Sequence, residues 1–420
     1  MIQNSPTRGT DAVIVAGART PFGRLLGQLA SLSAVQLGAA AIRGALDRAG
    51  VDAADVDVVI MGQVLQAGQG QNPARQSALS AGIGWNVPAV TLNKVCLSGL
   101  EAIIDAARLI QTGEASVVVA GGQESMTNAP HVLPTGRTGQ KFGNVTLIDT
   151  AAFDGLTDAY DGESMGLSTE KGNGRLTIER PEQDAVALQS HLRAAAAQAS
   201  GVFDDEIVPV EVPSRRGAPT VLSVDEGVRG ESTLESLSAL RPAFSPEGTI
   251  TAGNSSPLSD GAAAVVVTSR AYAEAHGLTW LAVVGAAGQV AGPDNSLQSQ
   301  PSRAIAAALA RSARLAAERG GQGSATPDAA PSATEVTDLD FIEINEAFAA
   351  VSVQSMRDLG IDDTTVNLHG GAIALGHPIG ASGARIALHA ALELSRRGTG
   401  HAAVAMCGGG GQGDALLLSL

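Results

Sequence analysis

The hydrophobic positions of the chain fall into two kinds of run. Short, nearly continuous runs of Val, Ile, Ala and Leu predict strands that are covered on both faces. They occupy Asp11–Ala18, Val56–Val64, Ser116–Gly121, Ala262–Thr268, Phe341–Ile344, Ala402–Met406 and Ala415–Leu420. Ala-rich segments with apolar residues at helical spacing predict helices over Leu37–Ala49, Gly99–Gln111, Pro181–Ala199 and Ser382–Arg396. Because the two kinds alternate, the pattern predicts a layered α/β fold.

The chain also contains a weak internal repeat. An Asp-x-Asp pair opens one strand at 55–57 and another at 338–340, about 280 residues later. At nearly the same offset Gly99, Ala106 and Ala107 recur as Gly383, Ala390 and Ala391, and Val90–Asn93 resembles Val366–His369. We interpret this as two homologous halves that share one site. The first comprises residues 1–125 plus 145–280, and the second residues 281–420.

Two segments lie outside this repeat. Residues 126–255 are rich in Gly, Asp and Arg and predict a loop region inserted between strands of the first half. Residues 316–336 are a low-complexity stretch of Ala, Gly, Ser and Pro. Few large apolar side chains are available there to offset the entropy of ordering, so we expect an exposed, mobile loop.

Composition and charge narrow the class of protein. The 420 residues are 44% hydrophobic, which is ample material for a core. A formal net charge of −15 argues against nucleic acid or an anionic membrane as the partner. We find no apolar stretch of the ~18–20 residues that a membrane-spanning helix needs, and no signal or transit pattern at the start. Two cysteines make no disulfide framework, so we expect a cytoplasmic protein.

Cys96 lies between a predicted strand and the helix that follows it. A thiol at a helix N-terminus meets unpaired N–H groups and the positive end of the helix dipole, and both favour the thiolate. The same N–H groups can hold a developing oxyanion. The alternative is that Cys96 is a small buried hydrophobic residue, as most free cysteines are. The local sequence leaves both interpretations open.

Cys407 is followed by four consecutive glycines, Gly408–Gly411. Such a run lets the backbone take positive φ angles and approach a ligand closely. A Walker motif is excluded because no Lys-Ser or Lys-Thr pair follows. The other interpretation is a flexible turn, although four glycines between two strands cost stability unless the geometry requires them.

His377 lies in a loop rich in Gly and Pro that precedes the helix predicted at Ser382. This pattern predicts a shaped loop and makes His377 a candidate catalytic residue, although a lone histidine often has a purely structural role. The glycines of the loop do not have the spacing of a dinucleotide-binding fingerprint. Without a Cys-x-x-Cys pair or a His-Glu-x-x-His motif, the sequence predicts no metal site.

Taken together, these segments resemble the thiolase family, and within it the acetyl-CoA acetyltransferases (acetoacetyl-CoA thiolases). Eight matching segments lie in family order almost from end to end of the chain. They are Ala18–Gly23, Asn93–Cys96, Gly121–Met126, Arg241–Phe244, Thr251–Asn254, Asn345–Phe348, Gly376–Gly380 and the glycine run after Cys407. The resemblance implies a duplicated five-layer αβαβα fold, in agreement with the repeat.

The resemblance also implies an acetyltransferase mechanism. Cys96 attacks an acyl-CoA thioester with His377 as base and carries the acyl group, while Cys407 moves the α-proton of a second acetyl-CoA. Asn345 holds a water that forms one oxyanion hole with His377, and the N–H groups of Cys96 and Gly409 form the other. The implied reaction is the reversible Claisen condensation of two acetyl-CoA to acetoacetyl-CoA and CoA. It uses no cofactor, since the CoA esters are substrates.

Further residues match family positions that contact coenzyme A. Arg229 and Ser256 match contacts to the adenine–ribose end and to the pantetheine arm. Pocket-lining positions are matched by Leu156, Met165, Phe244, Ala252, Ala347 and Phe348. Two departures lie nearby, because many biosynthetic members have His at Ser164 and usually Gly at Pro257. By resemblance we expect a homotetramer, a dimer of dimers.

Other functions remain open at this point. The first is a degradative 3-ketoacyl-CoA thiolase that accepts longer chains, and the second is a thiolase-like protein that binds CoA esters without catalysis. A decarboxylating ketosynthase shares the fold, but it pairs one Cys with two His or with His and Asn, so Cys407 argues against it. The remaining option is a Gly-rich nucleotide-binding protein.

Overall fold

Strands and helices alternate along the chain as the hydrophobic pattern predicts. The computed structural model describes residues 10–214, 217–320 and 333–420. The helices are α1 Ala34–Ala49, α2 Pro73–Ala81, α3 Ser98–Gln111, α4 Met165–Leu176, α5 Arg180–Ala199, α6 Leu234–Ser238, α7 Arg270–Ala275, α8 Gln300–Gly320, α9 Ala349–Leu359, α10 Ala372–Leu375 and α11 Ser382–Arg397. The strands are β1 Ala12–Arg19, β2 Gly23–Arg24, β3 Val58–Gly62, β4 Ala89–Leu92, β5 Val117–Ser125, β6 His131–Val132, β7 Ile148–Asp149, β8 Val210–Val212, β9 Thr220–Leu222, β10 Ser259–Ser269, β11 Ala282–Ala291, β12 Phe341–Ile344, β13 His401–Gly408 and β14 Gln412–Ser419.

The main sheet repeats one strand order. Its path is β12-β13-β14-β11-β1-β10-β5-β3-β4, with β2 paired to β10. The order β3-β5-β10-β1 therefore recurs as β12-β13-β14-β11, and in each set the first two strands are parallel. The sets meet where β1 pairs with β11, through Val13 with Val283 and Ile14 with Ala282. The residue boundaries of the two halves remain a prediction.

The Asp-x-Asp pairs have matching roles in the two sets of strands. Asp57 Oδ2 accepts the N–H groups of Ser116 and Val117, where β5 begins, at 2.7 and 3.0 Å. Asp340 Oδ2 accepts the N–H of His401, where β13 begins, at 2.8 Å. Each carboxylate therefore ties the start of one parallel strand to the start of its neighbour.

Three layers of helix enclose the strands. α1 and α2 pack on one outer face, with Leu37 and Ile42 among the buried residues. α8 and α9 pack on the opposite outer face, with Ile305 and Val351 in its core. α3 and α11 lie between the two sets of strands, and their core contains residues of both. The order helix, sheet, helix, sheet, helix is the one that the resemblance implies.

The two central helices come closest where they begin. A Cβ atom added at Gly383 of α11 would collide with the backbone nitrogen of Leu100 in α3. A Cβ atom at Gly99 would lie 2.8 Å from the Gly380 carbonyl oxygen and 2.9 Å from the Ala384 nitrogen. Because only glycine permits this approach, the segments that precede α3 and α11 meet in space.

The prediction of a mobile loop at 316–336 is wrong at both ends of that segment. α8 continues to Gly320 because Ala316, Ala317 and Glu318 are good helix formers. At the other end Ala333 is only 4% exposed and packs in the core under α8 and α9. The rest of the prediction, residues 321–332, lies outside the described residues.

The inserted region at 126–255 contains more regular structure than a loop region. It holds the long helix α5 that the periodicity predicts and also the helix α4 that it does not. It also contains the short helix α6 and two short pairs of strands, β6 with β7 and β8 with β9. Within the described ranges no helix is both long enough and apolar enough to cross a membrane.

A Gly288→Ala variant should lose stability, because the added methyl group would collide with the Ala304 carbonyl oxygen where β11 packs on α8. Overpacking of this kind typically costs ~1–3 kcal/mol. Urea denaturation measures the change in the free energy of unfolding. Gly174→Ala is the matched control, since nothing lies within 4 Å of an added Cβ there. Equal stabilities of the two variants would contradict the close packing of β11 on α8.

Candidate active site

A strained turn places Cys96 in front of α3. Val95 has a φ of 52°, which is unfavourable for a β-branched residue. Asn93 Oδ1 accepts the Val95 N–H at 2.9 Å, and Ser98 Oγ donates to the Val95 carbonyl at 2.6 Å. Ser98 Oγ also accepts the N–H of Lys94 at 2.8 Å. These bonds hold the strained conformation and fix the direction of the Cys96 side chain.

Two backbone N–H groups, that of Cys96 itself and that of Gly409, lie close enough to the Cys96 sulfur to lower the pKa of the thiol. It is partly exposed and packs against an apolar cluster that contains Val64, Leu65 and Ile379. Burial raises the pKa of the thiol to about 12, which outweighs the two N–H groups, and the charge of Glu124 raises it further.

For the free protein, burial therefore opposes the stabilised thiolate that the sequence analysis expects at Cys96. The position of the helix is as predicted, since α3 begins at Ser98 and Cys96 lies just before its first turn. The effect of the helix dipole falls off within a turn, whereas the desolvation of a thiolate is large.

Cys407 ends β13 and is only 1% exposed. The glycines after it form an ordered hairpin turn into β14, with φ of 76° at Gly410 and 66° at Gly411. Two successive positive φ angles require glycine in such a turn, so the flexible-turn interpretation is wrong. Burial raises the pKa of the Cys407 thiol well above its usual range, and the neighbouring Cys96 raises it further.

His377 is buried in the loop that leads into α11. Its Nδ1 lies 2.5 Å from Ser382 Oγ, which donates to the Pro378 carbonyl at 3.0 Å. Because the hydroxyl uses its hydrogen there, the network assigns the imidazole proton to Nδ1 and leaves Nε2 as an acceptor. Burial, and to a lesser degree the positive charge of Arg385, lowers the pKa of His377 to about 4. The imidazole is therefore neutral near pH 7.

Asn345 follows β12 and is fully buried. Its Nδ2 lies 3.5 Å from His377 Nε2, while its Oδ1 has no hydrogen-bond partner among the described residues. The neighbouring Glu346 accepts bonds from Ser190 Oγ at 2.7 Å and Asn367 Nδ2 at 2.9 Å. These bonds fix the turn that presents the Asn345 amide.

The five sequence-predicted catalytic residues come together from four loops. The Cys96 sulfur lies near the Gly409 N–H and near Cys407, and the Asn345 amide lies 3.5 Å from His377 Nε2. The loop of His377 also packs in the apolar cluster around Cys96. The arrangement combines two thiols, a neutral imidazole and convergent N–H donors, a set suited to acyl transfer through a thioester. In the described ranges no three His, Cys, Asp or Glu side chains are grouped as metal ligands.

Several of the predicted pocket residues adjoin this site. Leu156 packs against the apolar cluster around Cys96, and the Met165 N–H donates to the Leu156 carbonyl at 2.8 Å. Met165 packs against the same core as Phe348. The ring of Phe244, which is 37% exposed, meets Phe348 edge to face with centroids 6.1 Å apart. An apolar wall therefore leads from the Cys96 thiol toward solvent.

The other predicted coenzyme A contacts lie farther out or are less connected. Ser256 donates both its N–H and its Oγ hydrogen to the Ala347 carbonyl, at 3.1 and 3.0 Å. Ala252 is exposed in the preceding turn. Arg229 is also exposed, and its main-chain N–H donates to His191 Nδ1 at 3.2 Å. Their roles stay predictions.

The two departures from the family pattern have structural partners. Ser164 is the N-cap of α4, and its Oγ accepts the Leu167 N–H at 3.3 Å. The Pro257 carbonyl accepts a hydrogen bond from Ser259 Oγ at 2.8 Å, and that hydroxyl in turn accepts the His377 N–H at 3.1 Å. Ser164 therefore satisfies a helix end, and Pro257 supports the His377 loop.

The sequence analysis did not predict the residues that hold the predicted catalytic residues and their loops in place. Ser259 and Ser382 hold the backbone and the imidazole of His377, and Glu124 holds the backbone of three loop residues. Glu124 lies in one of the matched segments, but only the fold shows what its carboxylate contacts. For Ser382 the one signal was its position at the start of a predicted helix.

Iodoacetamide should alkylate Cys96 slowly at neutral pH. The rate should rise about tenfold per pH unit from pH 7 to 9, because the thiolate fraction grows tenfold per unit below the pKa. The measurement follows modified peptides by mass spectrometry, and a Cys407→Ser variant removes the second thiol. A rate that levels off below about pH 8 would show that the turn before α3 stabilises the thiolate after all.

Comparison with known proteins identifies the family. Residues 12–271 match the model of the thiolase N-terminal domain and residues 324–420 that of the thiolase C-terminal domain. A probable acetyl-CoA acetyltransferase of Mycolicibacterium smegmatis is 56% identical over 97% of this chain and 100% of its own length. The acetyl-CoA acetyltransferase of Cupriavidus necator is 47% identical over 97% of this chain and 98% of its own length. The crystal structure of the Bacillus anthracis acetyl-CoA acetyltransferase superposes with a TM-score of 0.89 at 37% identity and covers 97% of this chain and 98% of its own, which confirms the predicted fold class. The chain belongs to the thiolase family.

Proposed function

We propose that this protein is an acetyl-CoA C-acetyltransferase. It catalyses the reversible Claisen condensation of two acetyl-CoA to acetoacetyl-CoA and CoA through an acetyl group on Cys96. The observation that carries the proposal is the position of the Cys96 thiol, which lies close to two backbone N–H groups and beside Cys407. The relatives named acetyl-CoA acetyltransferase support the choice of substrate.

The first half-reaction transfers an acetyl group to the enzyme. Cys96 gives its proton to His377 Nε2 as its sulfur attacks the thioester carbonyl. The oxyanion of the tetrahedral intermediate accepts hydrogen bonds from the N–H groups of Cys96 and Gly409. The C–S bond to CoA then breaks, and the imidazolium returns the proton to the departing thiolate. Acetyl-Cys96 and free CoA result, and His377 is neutral again.

The second half-reaction forms the carbon–carbon bond. Cys407, as the thiolate, removes an α-proton from a second acetyl-CoA, and its raised pKa makes that thiolate a strong base. His377 Nε2 takes the proton of Cys407 as that thiol ionises, and the imidazolium N–H then stabilises the enolate oxygen together with a water held by Asn345. The carbanion attacks the acetyl carbon, and the bond to the Cys96 sulfur breaks. The departing Cys96 thiolate takes up the proton from His377 Nε2, which had received it when Cys407 ionised, so both thiols and the imidazole end neutral.

Coenzyme A esters are the only reactants that this scheme needs, so we assign no cofactor. The adenine–ribose end is placed at Arg229 and the pantetheine arm at Ser256. The remaining contacts are assigned to Leu156, Met165, Phe244, Ala252, Ala347 and Phe348. We assign the protein to the cytoplasm as a homotetramer, a dimer of dimers, with neither nucleic acid nor membrane as a partner.

A Cys407→Ser variant should separate the two half-reactions. Incubation with acetyl-CoA should still acetylate Cys96, because the nucleophile and its base are intact. Exchange of the acetyl-CoA α-protons with deuterium should fall at least about a hundredfold, the lower range for loss of a general base. Peptide mass spectrometry locates the acetyl group and NMR follows the exchange.

The matched control is Cys96→Ser, which should lose the acetyl label. An acetyl group found mainly on Cys407 would reverse the two roles. Deuterium exchange at the wild-type rate in Cys407→Ser would show that another base moves the α-proton.

Acetoacetyl-CoA should be cleaved best, since Phe348, Phe244 and Met165 place bulky apolar groups along the wall from Cys96. One extra methylene in such a pocket typically changes discrimination by about 10–200-fold. We therefore expect kcat/KM for a six-carbon 3-ketoacyl-CoA to be at least roughly tenfold lower. Thiolysis measured across chain lengths tests this. Equal or better cleavage of eight-carbon and longer substrates would favour a degradative 3-ketoacyl-CoA thiolase.

A further inference from the structure

Glu124 is a fully buried carboxylate at the end of β5, beside the proposed site but outside its assigned residues. Its Oε2 accepts the N–H groups of Val64 at 2.9 Å and Gly380 at 3.0 Å. Its Oε1 accepts the Leu65 N–H at 3.1 Å. One side chain therefore binds the backbone of two separate loops.

Both loops contribute to the apolar cluster against which Cys96 packs. Val64 and Leu65 follow β3 and form part of the apolar cluster that contacts the thiol. Gly380 lies in the loop of His377, next to an isoleucine in the same cluster. Neither loop is hydrogen-bonded to the other through its backbone in the described structure. The Glu124 carboxylate is thus a direct polar link between them.

Glycines surround this link, and the space beside each of them is too small for a side chain. A Cβ atom at Gly122 would collide with the Gly380 carbonyl oxygen. A Cβ atom at Gly62 would lie 2.8 Å from that oxygen, and one at Gly380 would lie 3.0 Å from Glu124 Oε2. The backbone of the His377 loop therefore fits against the ends of β3 and β5 in one position only.

An amide cannot replace the carboxylate in this arrangement. A carboxylate has two acceptor oxygens, and three N–H groups converge on them here, whereas a glutamine offers one oxygen and points hydrogens at the remaining donor. A buried donor left without a partner is costly. Burial raises the pKa of Glu124 to about 7, and the three N–H bonds act against that rise.

We propose that Glu124 is a positioning residue, which holds the Val64–Leu65 wall and the His377 loop at a fixed separation around the acetyl group on Cys96. This inference rests on the proposed function. Glu124 touches neither substrate nor reacting atoms, so it acts through the loops that it binds. Its loss should lower the rate of the chemical step more than the affinity for coenzyme A, since Arg229 and Ser256 lie elsewhere.

The test compares Glu124→Gln with wild type in the thiolysis of acetoacetyl-CoA. We expect kcat to fall at least about tenfold, or about 1.4 kcal/mol, with KM for CoA changed by less than about threefold. The matched control is Asp57→Asn, because Asp57 is also a carboxylate that binds two backbone N–H groups, but at the far ends of β3 and β5. Both variants are checked for melting temperature.

The inference would be overturned if the kcat of Glu124→Gln lay within about twofold of the kcat of Asp57→Asn. A change in Glu124→Gln that is confined to KM would also overturn it. If the amide variant does not fold, a second variant, Glu124→Asp, provides the test. It keeps the charge but is one methylene shorter, so it should fold and show a reduced kcat with a near-normal KM. Wild-type kcat in Glu124→Asp would overturn the inference. Wild type that neither cleaves acetoacetyl-CoA nor becomes acetylated would refute the proposed function instead.

Discussion

The close packing of the first turns of α3 and α11 is the constraint on which the candidate site depends. The residues just before those turns carry Cys96 in one case and His377 in the other, and each helix is buried between the two sets of strands. Gly99 and Gly383 remove the side chains that would hold the helices apart. Because the helices cannot slide against the strands without opening the core, the thiol and the imidazole keep their separation without any direct bond between them. The positions of the thiol and the imidazole are therefore set by backbone-to-backbone packing, which a single added methyl group would disturb.

Burial gives this site a neutral resting state. The pKa of Cys96 is raised and that of His377 is lowered, so a preformed thiolate–imidazolium pair is unfavourable in the free protein. In the proposed mechanism, neutral groups exchange a proton as the thioester carbonyl arrives, and the new negative charge passes to the oxygen that faces the N–H groups of Cys96 and Gly409. The same N–H groups lie close to the sulfur when no substrate is bound. In that mechanism they act on a charge that exists only during the reaction, which is the condition for stabilising a transition state more than a ground state.

Many elements of the fold could be predicted from the sequence, because both faces of their strands are apolar and their helices are periodic. The strand β11 and the helices α8 and α9 were not predicted. The predicted catalytic set came from matched segments, and the structure places its members together. Two kinds of structural property could not be predicted from the sequence. The pKa of Cys96 depends on the depth of its burial, which the periodicity of the sequence does not give. Buried polar supports depend on pairs far apart in sequence, such as Arg19 with Asp225 at 2.7 and 2.8 Å. The end of α8 was missed because Ala and Glu favour a helix as readily as a low-complexity loop.

The repeat explains why one half could not supply the site alone. At the offset that relates Gly99 to Gly383, Cys96 corresponds to Gly380 and Cys407 corresponds to Gln123. Each structural position therefore carries a thiol in one half and a different group in the other. Where the first half places Cys96 before its central helix, the second half places a glycine whose N–H binds Glu124. A side chain at position 380 would not fit, because its Cβ atom would lie 2.9 Å from Gln63 Cα and 3.0 Å from Glu124 Oε2. The packing of the His377 loop against the ends of β3 and β5 therefore leaves room for a thiol before the central helix of the first half only.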